Sequence, residues 1–135
     1  MALIEWTDDL SVGVEEFNSH HKRLIEMINK LHDSIVTKTD SSVIEEILSG
    51  LSNYTMYHFF TEEDAMKKHG YPDFDDHKAI HFNLTDKTLR FMQDLNSGKS
   101  GLSEELLAFL KEWLRDHILH IDMNYKSFFN SKGIF

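Results

Sequence analysis

The sequence contains no cysteine, which excludes thiolate chemistry, disulfides, iron-sulfur clusters and cysteine-bound zinc. It contains one proline, Pro72. No apolar run approaches the roughly 20 residues that span a bilayer, so no membrane insertion is expected. The opening MALIEWTDDLSVG lacks the basic start and long apolar segment of a secretion signal; the expected location is the cytoplasm. Basic residues are scarce, 14 Lys and Arg against 23 Asp and Glu for a net charge of -9. That balance argues against nucleic acid as a partner, since phosphate backbones are held by clustered cations. At 135 residues, 41% apolar and 27% charged, the chain is one soluble globular domain with a single core. It shows no internal repeat, low-complexity tract or linker.

Histidine is abundant instead, with nine residues. A lone histidine is usually a surface or satisfied core residue, so the count matters only if several fall on buried helix faces. The stretch from His58 to His81 holds two pairs, His58/Glu62 and His77/His81, on either side of Gly70-Tyr71-Pro72. Four helical residues turn through about 400°, so both members of each pair project from one face on successive turns. Gly70 suits the left-handed position past a helix end and Pro72 cannot continue a helix. The two pairs therefore sit on consecutive antiparallel helices.

In chain order, residues 1–17 lack a sustained helical period, and Trp6, Leu10, Val12 and Val14 suggest an arm lying along a larger body, with a frayed tail as the competing reading. The first helix is expected over about 18–38, capped by Asn18 or Ser19, with a seam at Phe17, His21, Leu24, Ile28, Leu31 and Ile35. His21 faces the core on that spacing and its neighbour His20 faces solvent. Thr39-Asp40-Ser41 is expected to break it. The second helix, about 42–69, starts on a Ser42/Glu45 capping box and carries His58 and Glu62 in its seam, with Glu63 on the solvated side. The third, about 75–96, is capped by Asp73 or Asp75 and opens on His77 and His81; Asn96-Ser97-Gly98 ends it. The fourth, about 103–130, turns Leu106, Leu110, Trp113, His117, Ile121, Tyr125 and Phe128 inward.

Four such helices read as an all-α, up-down-up-down four-helix bundle with an N-terminal arm. In that topology His21, His58, Glu62, His77, His81 and His117 all fall toward one end. Five core imidazoles without a ligand would each need a partner, at about 1 to 3 kcal/mol for every unsatisfied group. They exceed the four ligands of one tetrahedral ion, so the count points to two metals. Imidazole suits iron, zinc, copper and nickel, and a second bridging carboxylate is expected. The fourth helix offers Asp116 and Asp122. Asp122 lies five residues past His117, about 140° around an ideal helix. A long bridging reach or a wide turn would reconcile the two, and on periodicity alone His120 competes.

The ordered segments HHKRL, HFFTEE, HGYPDFDDHKAIH and WLRDHILHIDMNY resemble the hemerythrin family, specifically its single-domain bacterial members, over essentially the whole chain, 1–135. The resemblance implies a four-helix bundle holding two iron ions (Fe2+/Fe3+) with a bridging oxo or hydroxo group, and reversible binding of O2. Carried over to matching positions, it implies His77, His81 and His117 on one iron, His21 and His58 on the other, and Glu62 and Asp122 as bridges, which favours Asp122 over Asp116 and His120. It further implies a carrier, store or scavenger of O2 that is not an enzyme. An oxygen-consuming enzyme is the expected recipient, and the chain is expected to act as a monomer. An O2 or redox sensor module and a di-iron oxidase or peroxidase-like enzyme on the same ligands are the alternatives. Two positions depart from the family pattern, Asn18 where an acidic residue is common and His20 where Gln is common. Tyr54, Thr88 and Tyr125 are the seam-side groups expected to offer a hydrogen bond.

Overall fold

The structure, a computed structural model, describes residues 3–37, 41–96 and 102–135. Helix α1 spans Glu15–Val36, α2 Ser41–His69, α3 Phe74–Asn96 and α4 Leu102–His120; α5, Lys126–Ser131, follows a 3-10 turn at Asp122–Tyr125. Another 3-10 turn, Asp8–Leu10, lies in the arm. Among the described residues there is no strand, and no helix is long and apolar enough to cross a membrane. α1 packs on α2, α2 on α3, α3 on α4 and α4 back on α1. That cycle of sequence neighbours is the expected up-down-up-down four-helix bundle.

Leu24, Ile28 and Leu31 of α1, Leu48 and Leu51 of α2, and Leu106, Leu110 and Leu114 of α4 fill the interior, each at 2% exposure or less. Such side chains contribute about 1.5 to 3 kcal/mol apiece on burial. α3 differs. Among its described residues only His77, His81 and Thr88 are buried, while Leu84, Phe91 and Met92 pack against the core partly buried. Its deepest anchors are polar.

The helix boundaries depart from the sequence reading at two places that matter. α1 begins at Glu15 after Val14, not at Asn18 or Ser19, and the Asn18 N–H already donates to the Val14 carbonyl at 2.9 Å. The Asn18 side chain has another task. Its Oδ1 accepts from the Val12 N–H and its Nδ2 donates to Ser11 Oγ, both at 2.9 Å. Further out, Asn29 exchanges two hydrogen bonds with the Ile4 backbone, and the Lys22 ammonium covers Trp6 at 5.0 Å. The arm is thus laid against α1, with Ile4, Leu10, Val12 and Val14 buried. The second departure is at the other end: the expected continuous helix to residue 130 breaks at Ile121. Past the break Tyr125 and Phe129 are buried and Ile121 and Phe128 are not, so the inward series shifts.

The turn between α2 and α3 follows the sequence signal. Gly70 takes φ 74°, Tyr71 N–H donates to the Met66 carbonyl at 2.9 Å, and Gly70 N–H to Lys67 at 3.4 Å. This is the paired C-terminal cap that a glycine permits, with Tyr71 and Met66 both buried beneath it. α3 then starts one residue after Asp73, whose carbonyl receives the His77 N–H at 2.9 Å. α2 is under way at Ser41, one residue before its expected start and inside the expected break. The remaining breaks, at Thr39-Asp40 and Ser97–Gly101, lie outside the described residues.

Candidate metal centre

The four-residue spacing of His58/Glu62 and His77/His81 puts each pair on one helix face, and the tight Gly70 turn brings the faces together. His21 arrives from the start of α1, His117 from the last turn of α4, and Asp122 from the 3-10 turn after it. All seven side chains are buried at 5% exposure or less. They form two groups that share both carboxylates: Glu62, His77, His81, His117 and Asp122, and His21, His58, Glu62 and Asp122. Within each group the candidate ligand atoms lie within 4.8 Å of one another.

Asp122 reaches the groups because the helix ends before it. Ile121, at φ -114° and ψ -61°, still donates its N–H to the His117 carbonyl at 2.9 Å, but Asn124 then donates to Ile121 in a tighter 3-10 pattern. The winding tightens here where a wide turn was one expectation, and it brings Asp122 Oδ1 to 2.9 Å from His117 Nε2 and 3.0 Å from His77 Nε2, and Oδ2 to 3.1 Å from His21 Nε2. Asp116 and His120 are exposed on the outer side of α4.

The donor set fits a pair of cations. Glu62 Oε1, both Asp122 carboxylate oxygens and His77 Nε2 are buried without a hydrogen-bond partner, although nitrogens and oxygens approach to about 3 Å. Distance without direction is what converging lone pairs produce. His21 Nε2 faces His58 Nε2 at 3.0 Å, and His81 Nε2 faces His117 Nε2 at 3.2 Å. Two nitrogens at right angles on one transition-metal ion, each at about 2.1 Å, would stand about 3 Å apart.

Electrostatics divides the histidines. Burial pushes His58 down to about 3, against the pull of Glu62. Burial also works on His81, yet Glu62 and Glu63 stand 3.4 and 2.9 Å from its two nitrogens and raise it to about 9. For Glu62, burial and Asp122 push upward, but His58, His81 and His21 bring it down to about 2. Asp122 is likewise held well below its usual range, burial being overcome by His117, His21 and His77. Both carboxylates are therefore anionic near neutral pH, the form in which a carboxylate can hold a cation.

Three neighbours complete the surroundings. Tyr125 donates its hydroxyl to Glu62 Oε2, as the sequence offered; burial, then Glu62 and Asp122, drive this phenol well above its ordinary value. Glu63, expected in solvent, sits 2.9 Å from His81 Nδ1. His20, also expected in solvent, is 7% exposed with its Nδ1 2.8 Å from His58 Nδ1. One-residue steps of about 100° gave no warning of either: both lie on the flank that the adjacent helix covers. Of the other offered donors, Thr88 gives its hydroxyl to the Leu84 carbonyl of its own helix, and Tyr54 packs edge-on to the His20 ring. Phe59 stacks on His81 at 3.8 Å and Trp113 meets His117 at 5.9 Å, closing the apolar side.

The hemerythrin HHE cation binding domain matches residues 12–129. The chain belongs to the hemerythrin family. A bacteriohemerythrin of Stenotrophomonas maltophilia is 34% identical over 125 residues, covering 93% of this chain and 80% of the relative. A myohemerythrin of Theromyzon tessulatum is 34% identical over 122 residues, covering 90% of both. The crystal structure of wild-type hemerythrin superposes with a TM-score of 0.87 at 33% identity, over 93% of this chain and 97% of that one. The hemerythrin bundle accounts for the helix order, and the matched segment runs through every residue of the two groups from His21 to Asp122.

Proposed function

We propose that this chain binds O2 reversibly at a non-haem di-iron centre and serves as a carrier, store or scavenger without turnover of its own. The observation that carries the reading is the pair of buried donor groups sharing Glu62 and Asp122, one with three histidines and one with two. His77, His81 and His117 would hold one iron and His21 and His58 the other, with Glu62 and Asp122 available to both. A bound iron pair supplies the electrons that O2 takes up and returns.

The protein's own part is to place donors and keep water out. The two-histidine group offers one donor fewer, so an ion held there would keep a position open for O2. Five neutral imidazoles against two carboxylates give modest anionic donation, a setting that favours reversible binding over O–O cleavage. Tyr125 fixes Glu62 through its hydroxyl, and Glu63 holds the His81 ring from behind. Phe59 and Trp113 present hydrocarbon to the centre where they meet His81 and His117. A cytoplasmic, monomeric protein handing O2 to an oxygen-consuming enzyme completes the proposal.

An oxygen electrode separates carrier from catalyst. Reduced, iron-loaded protein takes up O2 to saturation and returns it on purging with inert gas. Continued consumption in the presence of a reductant would assign it to oxidase or peroxidase-like chemistry instead.

A further inference from the structure

His20 lies outside both donor groups, one residue before His21 in α1. Adjacent helical residues diverge by about 100°, so His21 enters the centre while His20 turns into the seam between α1 and α2. There its Nδ1 meets His58 Nδ1 at 2.8 Å, with the rings nearly perpendicular at 79°. The Tyr54 and Tyr57 rings also pack against the His20 ring, at 5.8 and 5.3 Å.

The other nitrogen of His58, Nε2, is the one that faces inward, 3.0 Å from His21 Nε2 and 3.4 Å from Glu62 Oε1. A cation there takes the Nε2 lone pair, which leaves the ring proton on Nδ1. That proton then points at His20 Nδ1, which must accept it. Building on the di-iron reading above, we infer that His20 is the positioning residue of the two-histidine metal position: it holds His58 in the Nδ1–H tautomer and sets the affinity of that position without touching the metal. His81 has the same arrangement with a different partner, the Glu63 carboxylate. The two metal positions are thus backed unequally, one by an anion and one by a neutral ring. Groups behind a ligating histidine fix its orientation and raise its basicity.

The test is a cobalt(II) titration of the metal-free full chain and of His20→Leu and His20→Gln, with the metal read by visible absorption. Wild type takes two ions. His20→Leu weakens one of the two by about 10- to 100-fold and leaves the other in place, while His20→Gln, whose amide oxygen can accept the same proton, restores most of the loss. Unchanged affinities in His20→Leu, or an equal loss in His20→Gln, would overturn the assignment. Fewer than two ions on wild type would overturn the di-metal reading beneath it, an outcome seen before any variant is made. A measurement on the wild type needs no variant to fold. In the zinc-loaded, nitrogen-15-labelled protein, a scalar coupling across the His58–His20 hydrogen bond is expected, and a His58 proton found on Nε2 would contradict the assignment.

Discussion

His117 Nε2 and Asp122 Oδ1 stand 2.9 Å apart although an unbroken helix would point them about 140° away from each other. The helix is not unbroken, and its end at His120 is what makes a shared carboxylate available to both donor groups. Asp122→Ala is therefore expected to lower bound metal from two ions per chain to one or none, whereas Asp116→Asn and His120→Ala keep two. Metal analysis of the purified variants after reconstitution checks this, and equal losses in all three would contradict it.

Glu63 stands behind His81 as His20 stands behind His58, each against the Nδ1 of its partner. Glu63→Gln is expected to weaken metal at the three-histidine position by about 10- to 100-fold while the fold persists. In the metal-free chain His81 holds a proton up to about pH 9, so metal uptake near neutral pH must displace it. A pH-stat should record that release in wild type, and less of it in Glu63→Gln.

Stability of the metal-free protein should peak near pH 6.5, the ordinary histidine value. His81, raised to about 9, contributes stability that is complete below 6.5 and lost as pH climbs through about 9. His58, lowered to about 3, has the opposite effect: its folded form disfavours the proton that the unfolded chain takes up, so stability falls as pH drops from 6.5 toward about 3. Glu62, held at about 2, extends the acid loss below 4.5. Denaturant midpoints across pH should trace both limbs, and Glu63→Gln should flatten the alkaline one alone.

The half-polar docking of α3 predicts how the protein responds to losing its metal. With no apolar side chain fully buried among its described residues, α3 depends on His77 and His81 being tied to the other helices. Hydrogen exchange should show the α3 amides gaining more protection on metal loading than those of α1, whose Leu24, Ile28 and Leu31 are buried regardless. Uniform protection across the bundle would contradict this.

At Gly13 the arm turns with φ 73°, and a Cβ there would meet Lys126 Cγ at 2.8 Å. Gly13→Ala should cost about 1 to 2 kcal/mol from the left-handed backbone. Asn18→Ala should cost about 1 to 3 kcal/mol, because the buried Val12 N–H loses its acceptor. Chemical denaturation at constant pH measures both.

The histidine pairs were legible in the sequence because a four-residue step fixes a face whatever the rest of the helix does. Topology then sent the faces to one end. The pairing of His117 with Asp122 was not legible from spacing, since it requires a helix to stop where periodicity says continue; the family resemblance supplied it. Asn18 reads as a helix cap by residue type, and the structure spends it on the arm. His20 and Glu63 read as solvent-facing on a helical wheel, which shows a helix's own core face but not how far the neighbouring helix wraps around it.

Iron content per chain, measured together with the visible spectrum of the anaerobically reduced protein before and after O2, tests the central claim most directly. The expected result is two irons per chain and a charge-transfer band that rises with O2 and bleaches when O2 is withdrawn. A single iron, or a spectrum that O2 leaves unchanged or alters irreversibly, would contradict it.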